Sequence, residues 1–376
     1  MWLGTKGLIH ARADVVGSLL RPAELLRARE DLHAGLISPQ QFKAVEDRAV
    51  DEAVVLQQDA GLEVVTDGEM RRLSFQSPLA EAVDGLGAFD LDAFLWGDWR
   101  GGEQVGNLKQ ERPASLGVVA KLKRRRYPLI EEFVYLRGRT TRTPKLSLPS
   151  PSLWANFWSP DVSRDAYPTL DSFLADVADF LRDEVTQLVS LGAAYIQLDA
   201  PHYPLLADPR TRTFYERQGW DVSRWLARGI ELDNAVIGGF PGVTFGFHLC
   251  RGNQGSRWLS EGGYESVARP IFRDVKAHRL LLEYDDQRSG SFEPLREVSD
   301  DKTVVLGLVT TKSPRLETIR ELTFRIEEAS RFVPLERLAL SPQCGFASSI
   351  IGNRITVEDE KLKLRLITET ARKVWG

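Results

Sequence analysis

Cysteine is scarce in this chain. There are two in 376 residues, Cys250 and Cys344, beside five histidines. They allow at most one disulfide, so the fold is not expected to rest on a disulfide framework. Long apolar runs are missing too: none reaches the roughly 18 residues that span a bilayer. The opening "MWLGTKGLIHARAD" lacks the sustained apolar segment and small-residue cleavage site of a secretory signal. The expected setting is therefore a reducing cytoplasm, where thiols serve as ligands or nucleophiles rather than staples. Nor is there an excess of one charge. Lys plus Arg number 49 against 53 Asp plus Glu, a net charge of −4, which argues against nucleic acid or an anionic membrane as partner. The single basic run, "KLKRRRY" (121–127), has no interleaved aromatics and reads as a solvated hairpin face, not a phosphate track. Internal repeats, low-complexity tracts and Ser/Gly-rich linkers are absent, and one domain over residues 1–376 is expected.

What the chain does contain is alternation. Short, β-branched apolar runs occur at "DVVGS" (14–18), "LEVVTDG" (62–68), "KLSLPS" (145–150), "AYIQLDA" (194–200), "TFGFHLC" (244–250), "RLLLEYDD" (279–286), "TVVLGLV" (303–309) and "LALSPQC" (338–344). Longer helical patterns separate them, among them 39–61, 172–192, 314–332 and 358–375, with Pro39 and Gly192 at start and stop positions. Eight continuous apolar strands with helical connections predict an α/β fold of the (β/α)8 TIM-barrel type. One departure, residues 84–143, contains "FLWGDWRGGEQ" and two predicted hairpin strands around 116–122 and 132–139. It reads as an insertion between strands two and three, lying over one end of the barrel. The aromatic "LWANFWSP" (153–160) reads as core in preference to a platform for a donor ring.

Functional groups of such barrels sit at the C-terminal ends of the strands. Ser18, Asp67, Glu69, Asp199, His248, Cys250, Glu283, Lys312 and Cys344 all fall there. Alternation along a strand turns His248 and Cys250 to the same face. An imidazole and a thiolate presented together suit zinc, and Glu283 on the next strand and Cys344 on the last could complete a tetrahedral site. The plainer alternative makes the cysteines small buried hydrophobes and His248 a hydrogen-bonded core residue.

Six stretches, "VVGSLLRP" (15–22), "VVTDGEMRR" (64–72), "YIQLDAPHY" (195–203), "FHLCRGN" (247–253), "LLEYDDQRSG" (281–290) and "SPQCGF" (341–346), resemble the catalytic barrel of the cobalamin-independent methionine synthase family, in order, from about residue 10 onward. The resemblance implies Zn2+ held by His248, Cys250, Glu283 and Cys344, with a zinc-bound thiolate as nucleophile. It implies homocysteine bound through Ser18, Glu69 and Asp199. In plainer terms Ser18 would cap a helix, Glu69 would pair with Arg71 or Arg72, and Asp199 would begin a helix. Departures accompany the match. Long family members carry a second, N-terminal barrel that shares the folate site, which puts polyglutamylated folate in question as donor. Where the family has a histidine that protonates the leaving group, "TTKSP" offers Lys312, which could act as an acid only with a lowered pKa and otherwise reads as a solvated loop lysine. The expected activity is transfer of a methyl or alkyl group to homocysteine or a related thiol. Methyltetrahydrofolate, a methylated corrinoid, or a small sulfonium or methylthio compound would be the donor, and a homo-oligomer is left open. One alternative is epoxide opening by coenzyme M, with Arg71, Arg72 and Arg251 as cationic contacts. The other is a non-catalytic zinc-bound barrel.

Overall fold

The computed structural model describes residues 7–87, 99–101, 117–217 and 220–376. In chain order the strands are β1 (Val64–Val65), β2 (Val83–Gly87), β3 (Gly117–Arg124), β4 (Thr143–Pro149), β5 (Tyr195–Asp199), β6 (Thr244–Leu249), β7 (Arg279–Glu283), β8 (Thr303–Val309) and β9 (Leu338–Pro342). Seven of them form one parallel sheet in the order β1-β4-β5-β6-β7-β8-β9, curled as in TIM-barrel folds, and β2 and β3 form a separate antiparallel pair. Helices cover the outer face. The amphipathic helix Leu170–Ser190 buries Leu181, Val185 and Leu188 against the sheet, each contributing roughly 1.5–3 kcal/mol. It is capped by a Thr169–Ser172 box and ends before Gly192 at φ +94, as the stop signal predicts. Ser38 and Pro39 likewise open the helix Pro39–Asp59. Among the described residues no helix is long and apolar enough to cross a membrane.

The expected first strand, 14–18, is not a regular strand. Ala13 makes an isolated parallel bridge to Leu340, with Asp14 N donating to Leu340 O at 2.9 Å. Beyond it the backbone turns to side chains: Asp14 Oδ1 accepts from Val15 N, and Gly17 O accepts from Thr66 Oγ1. Leu19 N then reaches Gly68 O at 3.0 Å. An irregular segment thus runs between β9 and β1 where an eighth strand was expected.

The insertion needs a second correction. Residues 117–122 of the first expected hairpin strand do fall on a strand, β3, but its partner is β2, with Leu86 opposite Val118; residue 116 lies outside the described residues. Residues 132–139 lie mostly on a helix, Pro128–Arg137. Pro128 opens it, and Leu129, Phe133 and Leu136 bury one face at a spacing of four and three, a helical period that overrides the β-branched appearance. The basic run is tied to carboxylates, Arg124 to Glu184 at 2.6 Å and Arg125 to Asp84 at 3.4 Å. Most of "FLWGDWRGGEQ" lies outside the described residues. Its residues Trp99–Gly101 are described, and Arg100 exchanges backbone hydrogen bonds with Trp258. Trp154 and Phe157 are core, edge to face at 5.0 Å.

Inside the curl, side chains stack in layers. At the N-terminal ends of the strands lie Asp14, Lys145, Tyr195 and Arg279. An apolar layer of Val16, Leu281, Val305 and Ala339 covers them. Above it, at the C-terminal ends, come Glu69, Asp199, His248 and Glu283.

Candidate functional site

The mouth is built around the end of β6. His248 sits on β6, opposite Asp199 of β5 and Leu281 of β7 in the two ladders. Its Nδ1 donates to Leu281 O at 3.2 Å, while Nε2 is buried with no hydrogen-bond partner. That bond fixes the tautomer and leaves a bare lone pair. Cys250 and Cys344 are buried free thiols, and ligand atoms of His248, Cys250 and Cys344 all lie within 4.8 Å of one another. A hydrogen bond with Cys250, together with His248 and Lys312 nearby, pulls the Cys344 thiol well below its ordinary value; the same contact, and burial, push Cys250 up. One bare imidazole nitrogen and two thiols are a donor set that can hold a borderline-soft metal.

Glu283, expected as the fourth ligand, is not part of that group. It is fully buried at the end of β7 and engaged on both oxygens, Oε2 by Arg251 N at 2.5 Å and Oε1 by Lys312 Nζ at 3.2 Å, with Arg288 at 3.5 Å. Burial raises its pKa, but Lys312, Arg251 and Arg288 outweigh this and hold it below the ordinary value. Lys312 is therefore neither a solvated loop lysine nor an acid with a lowered pKa. Burial works against its ammonium, yet Glu283 and Asp285 raise it above the ordinary lysine value.

The three residues expected to bind substrate line one cleft with the cluster. Its empty volume is ≈ 840 Å³, part of it open to solvent, and its walls include Ser18, Glu69, Asp199, His248, Cys250 and Cys344. Neither Glu283 nor Lys312 is among its lining residues. Glu69 stands at φ +55, in the left-handed region. Its amide donates to Asp67 Oδ1 and its carbonyl accepts from Arg21 Nη2, which secure that strained backbone. Gly17 leaves room for the Glu69 carboxylate, since a Cβ there would lie 2.8 Å from Glu69 Oε1 and push it aside; a Cβ on Gly345 would lie 2.0 Å from Ser18 Oγ. Ser18 Oγ accepts from Ala347 N at 3.3 Å, and the helix Ala23–His33 begins after Pro22, so Ser18 does not cap it. Burial pushes Asp199 up to about 7 although His248 opposes it, and Gln197 donates to its Oδ1 at 2.7 Å.

Sequence reasoning missed the support for Glu69. Ser147 of β4 donates to Glu69 Oε1 at 2.8 Å, and Arg72 donates to Ser147 Oγ at 2.9 Å while its fork grips Glu132. Burial pushes Glu132 up to about 7, whereas Arg72 is raised by Glu132 and Glu69 against burial. Both values rise, which disfavours the charged form of Glu132 and favours that of Arg72, and the two-oxygen grip by one guanidinium decides for an ionised pair. A serine inside the apolar "KLSLPS" was the available signal. Asn253, in "FHLCRGN", was also overlooked: its Nδ2 donates to Gly345 O at 2.6 Å and ties this loop to that of Cys344.

A parallel α/β barrel with an imidazole, two thiols and two carboxylates converging at its C-terminal mouth has the layout of a barrel enzyme. Residues 12–364 match the family described as cobalamin-independent synthase, catalytic domain, and the chain belongs to that family. It is 35% identical over 367 residues to the uncharacterized protein YxjH of Bacillus subtilis (strain 168), covering 97% of this chain and 94% of that one. It is 28% identical over 348 residues to the methionine synthase of Pyrococcus abyssi (strain GE5 / Orsay), covering 92% and 88%. In fold it is similar to a B12-independent methionine synthase from Shewanella sp. W3-18-1, solved in complex with selenomethionine, with a TM-score of 0.74, 21% identity, and 96% and 97% of the two chains covered.

Proposed function

We propose that this chain is a zinc-dependent methyltransferase that carries a methyl group to the thiol of homocysteine or a closely related amino-acid thiol. The observation that carries the reading is the grouping of His248, Cys250 and Cys344 beside Glu69, whose Oε2 is buried without a partner, on the wall of one cleft. His248 Nε2, Cys250 Sγ and Cys344 Sγ would hold the zinc. Glu283 would join as fourth ligand only by turning an oxygen away from Lys312. When bound, zinc supplies a means of keeping a substrate thiol deprotonated and oriented at neutral pH.

The remaining roles belong to the protein. Glu69 Oε2 and Asp199 accept the α-ammonium group, and Ser18 with the neighbouring backbone receives the α-carboxylate. Lys312 keeps Glu283 charged and in place, a positioning role in the reading we favour over proton donation. Phe75, Pro201, Leu205 and Leu259, which also line the cleft, would limit the access of water to the attacking sulfur. Membership of the family and the methionine synthase names of relatives such as that of Pyrococcus abyssi support methyl transfer to homocysteine. The epoxide-opening alternative called for cationic contacts with a sulfonate. Arg71 pairs with Glu46 and Asp47, Arg72 with Glu132, and Arg251 with the Glu283 carbonyl, and none of the three lines the cleft.

Cobalt substitution tests the reading. A visible sulfur-to-metal band should appear with cobalt and grow on adding homocysteine, more than with coenzyme M or a plain alkyl thiol. A band that no thiol alters would identify a closed, structural site; growth with coenzyme M alone would move the assignment to alkyl transfer onto that thiol.

A further inference from the structure

Glu69 is held by a chain of donors that runs in one direction. Arg72 is a guanidinium, which has no acceptor. Its Nε and Nη2 are taken by Glu132, with Nη2 to Oε2 at 2.7 Å, and its Nη1 donates to Ser147 Oγ at 2.9 Å. Ser147 Oγ therefore accepts from Arg72, and its single proton goes onward to Glu69 Oε1 at 2.8 Å. Arg72 Nη1 itself lies 3.5 Å from that oxygen. One oxygen of Glu69 is thus engaged from below, with Gly17 leaving it room, while Oε2 is buried and unpartnered in a residue that lines the cleft. The side chains of Arg72 and Glu132 are 1% and 4% exposed, too enclosed for solvent to replace either partner.

From this we infer that Arg72, oriented by Glu132 from the helix Pro128–Arg137, is a positioning residue that acts through Ser147 to aim Glu69 Oε2 at the substrate ammonium group. It thereby sets the preference for amino-acid thiols over thiols without an amine. The inference rests on the proposed binding of an amino-acid thiol and adds to it the element that decides its selectivity. Without that donor the Glu69 carboxylate plane could turn about its last bond; the donor chain fixes the plane and prepares one free acceptor before substrate arrives.

The test is a ratio of affinities that needs no turnover. Methionine, and the same thioether acid lacking the amine, are titrated by calorimetry into the full chain, its Glu132→Gln and Ser147→Ala variants, and Arg72→Lys. The wild type should prefer methionine. In Glu132→Gln and Ser147→Ala that preference should fall about 10-fold or more, the worth of a hydrogen bond to a charged group, with binding of the amine-free acid unchanged. In turnover, KM for homocysteine should rise by a similar factor while kcat stays within about twofold. Arg72→Lys, which keeps the charge and loses the fork, should retain part of the preference. Equal weakening of both ligands would reduce Arg72 to a structural role, and an unchanged preference in folded variants would overturn the inference. If Glu132→Gln does not fold, Ser147→Ala decides alone. A wild type with no preference for the amine would remove the substrate assignment itself, a different failure from retained preference in the variants.

Discussion

The two ends of the barrel interior bury similar chemistry in opposite ways. At the floor, Asp14 receives Lys145 Nζ at 3.0 Å, Arg279 Nε at 3.1 Å and Tyr195 Oη at 2.7 Å, and Arg279 also donates to the carbonyls of Ile9 and Ala11. None of these four side chains contributes an unpartnered buried atom. At the mouth, Asp67 Oδ2, Glu69 Oε2, Gln197 Oε1 and His248 Nε2 are all buried and unpartnered. Orphaned buried polar atoms are costly, and a native chain keeps few of them without a reason. The floor therefore reads as a plug that closes the barrel and fixes its strands. At the mouth stability is given up at atoms that the proposed function assigns to a metal and a substrate, as strain at functional sites generally is.

The sharpest way to break the contrast is at the cluster. Cys344→Ser should lower methyl transfer about 10³-fold, equivalent to about 4 kcal/mol of transition-state stabilisation. It should also abolish the cobalt–sulfur band gained on thiol addition, while the melting temperature of the metal-free protein changes little. A variant that kept its activity would show that the thiol is core, and the mouth would then differ from the floor only in geometry.

At the floor the expectation is reversed. Asp14→Asn strands two buried cations and should cost about 3–5 kcal/mol of stability, with metal stoichiometry and activity per folded molecule unchanged. Burial raises Asp14, but Lys145 and Arg279 outweigh it and hold it below its ordinary 3.8. Its stabilisation is therefore present above about pH 4 and lost as pH falls below that value, so the gap between wild type and variant should close in acid. Burial depresses the Lys145 ammonium even so, whereas Arg279 is raised, which makes the guanidinium the firmer counter-charge. Denaturant melts across that pH range measure the gap.

The same division governs how much could be read from the sequence. Periodicity located seven of the eight runs, because parallel buried strands are continuous apolar segments whose register repeats along the sheet. It failed at residues 14–18, where Asp14 and Gly17 use backbone partners that a strand would need, and at 132–139, where burial at helical spacing decides. Strand alternation put His248 and Cys250 on one face, and the position of Cys344 at the end of the last strand added it to the group, which is the trio the structure brings together. The engagement of Glu283 by Lys312 was not legible. It depends on where a loop lysine folds back after β8, and a single sequence carries no signal for that reach. Arg72 looked like a partner for Glu69 or a contact for a sulfonate. Its principal partner, Glu132, lies 60 positions away on a helix that alternation had read as strand.

The smallest effect we expect separates the two ends by the sign of a pH dependence. Burial pushes Asp199 up to about 7, so in the metal-free protein it folds preferentially in the protonated form. The sign is opposite to that of Asp14. The unfolded chain loses this proton near its ordinary 3.8, the folded chain near 7, and between them the native state binds the extra proton. The contribution is complete below about pH 4 and drains away as pH rises toward 7. Asn, which has no proton to lose, mimics the protonated form at every pH. Asp199→Asn should therefore match the wild type within about 0.5 kcal/mol at pH 4 and exceed it by of order 1–2 kcal/mol at pH 7, less than a dry interior would give because the residue borders an open cleft. Parallel denaturation of the metal-free proteins at the two pH values measures this. A constant difference would mean that Asp199 is already ionised in the empty cleft, with His248 as its counter-charge, and the mouth would then be closer to the floor in its electrostatics than its unpartnered atoms suggest.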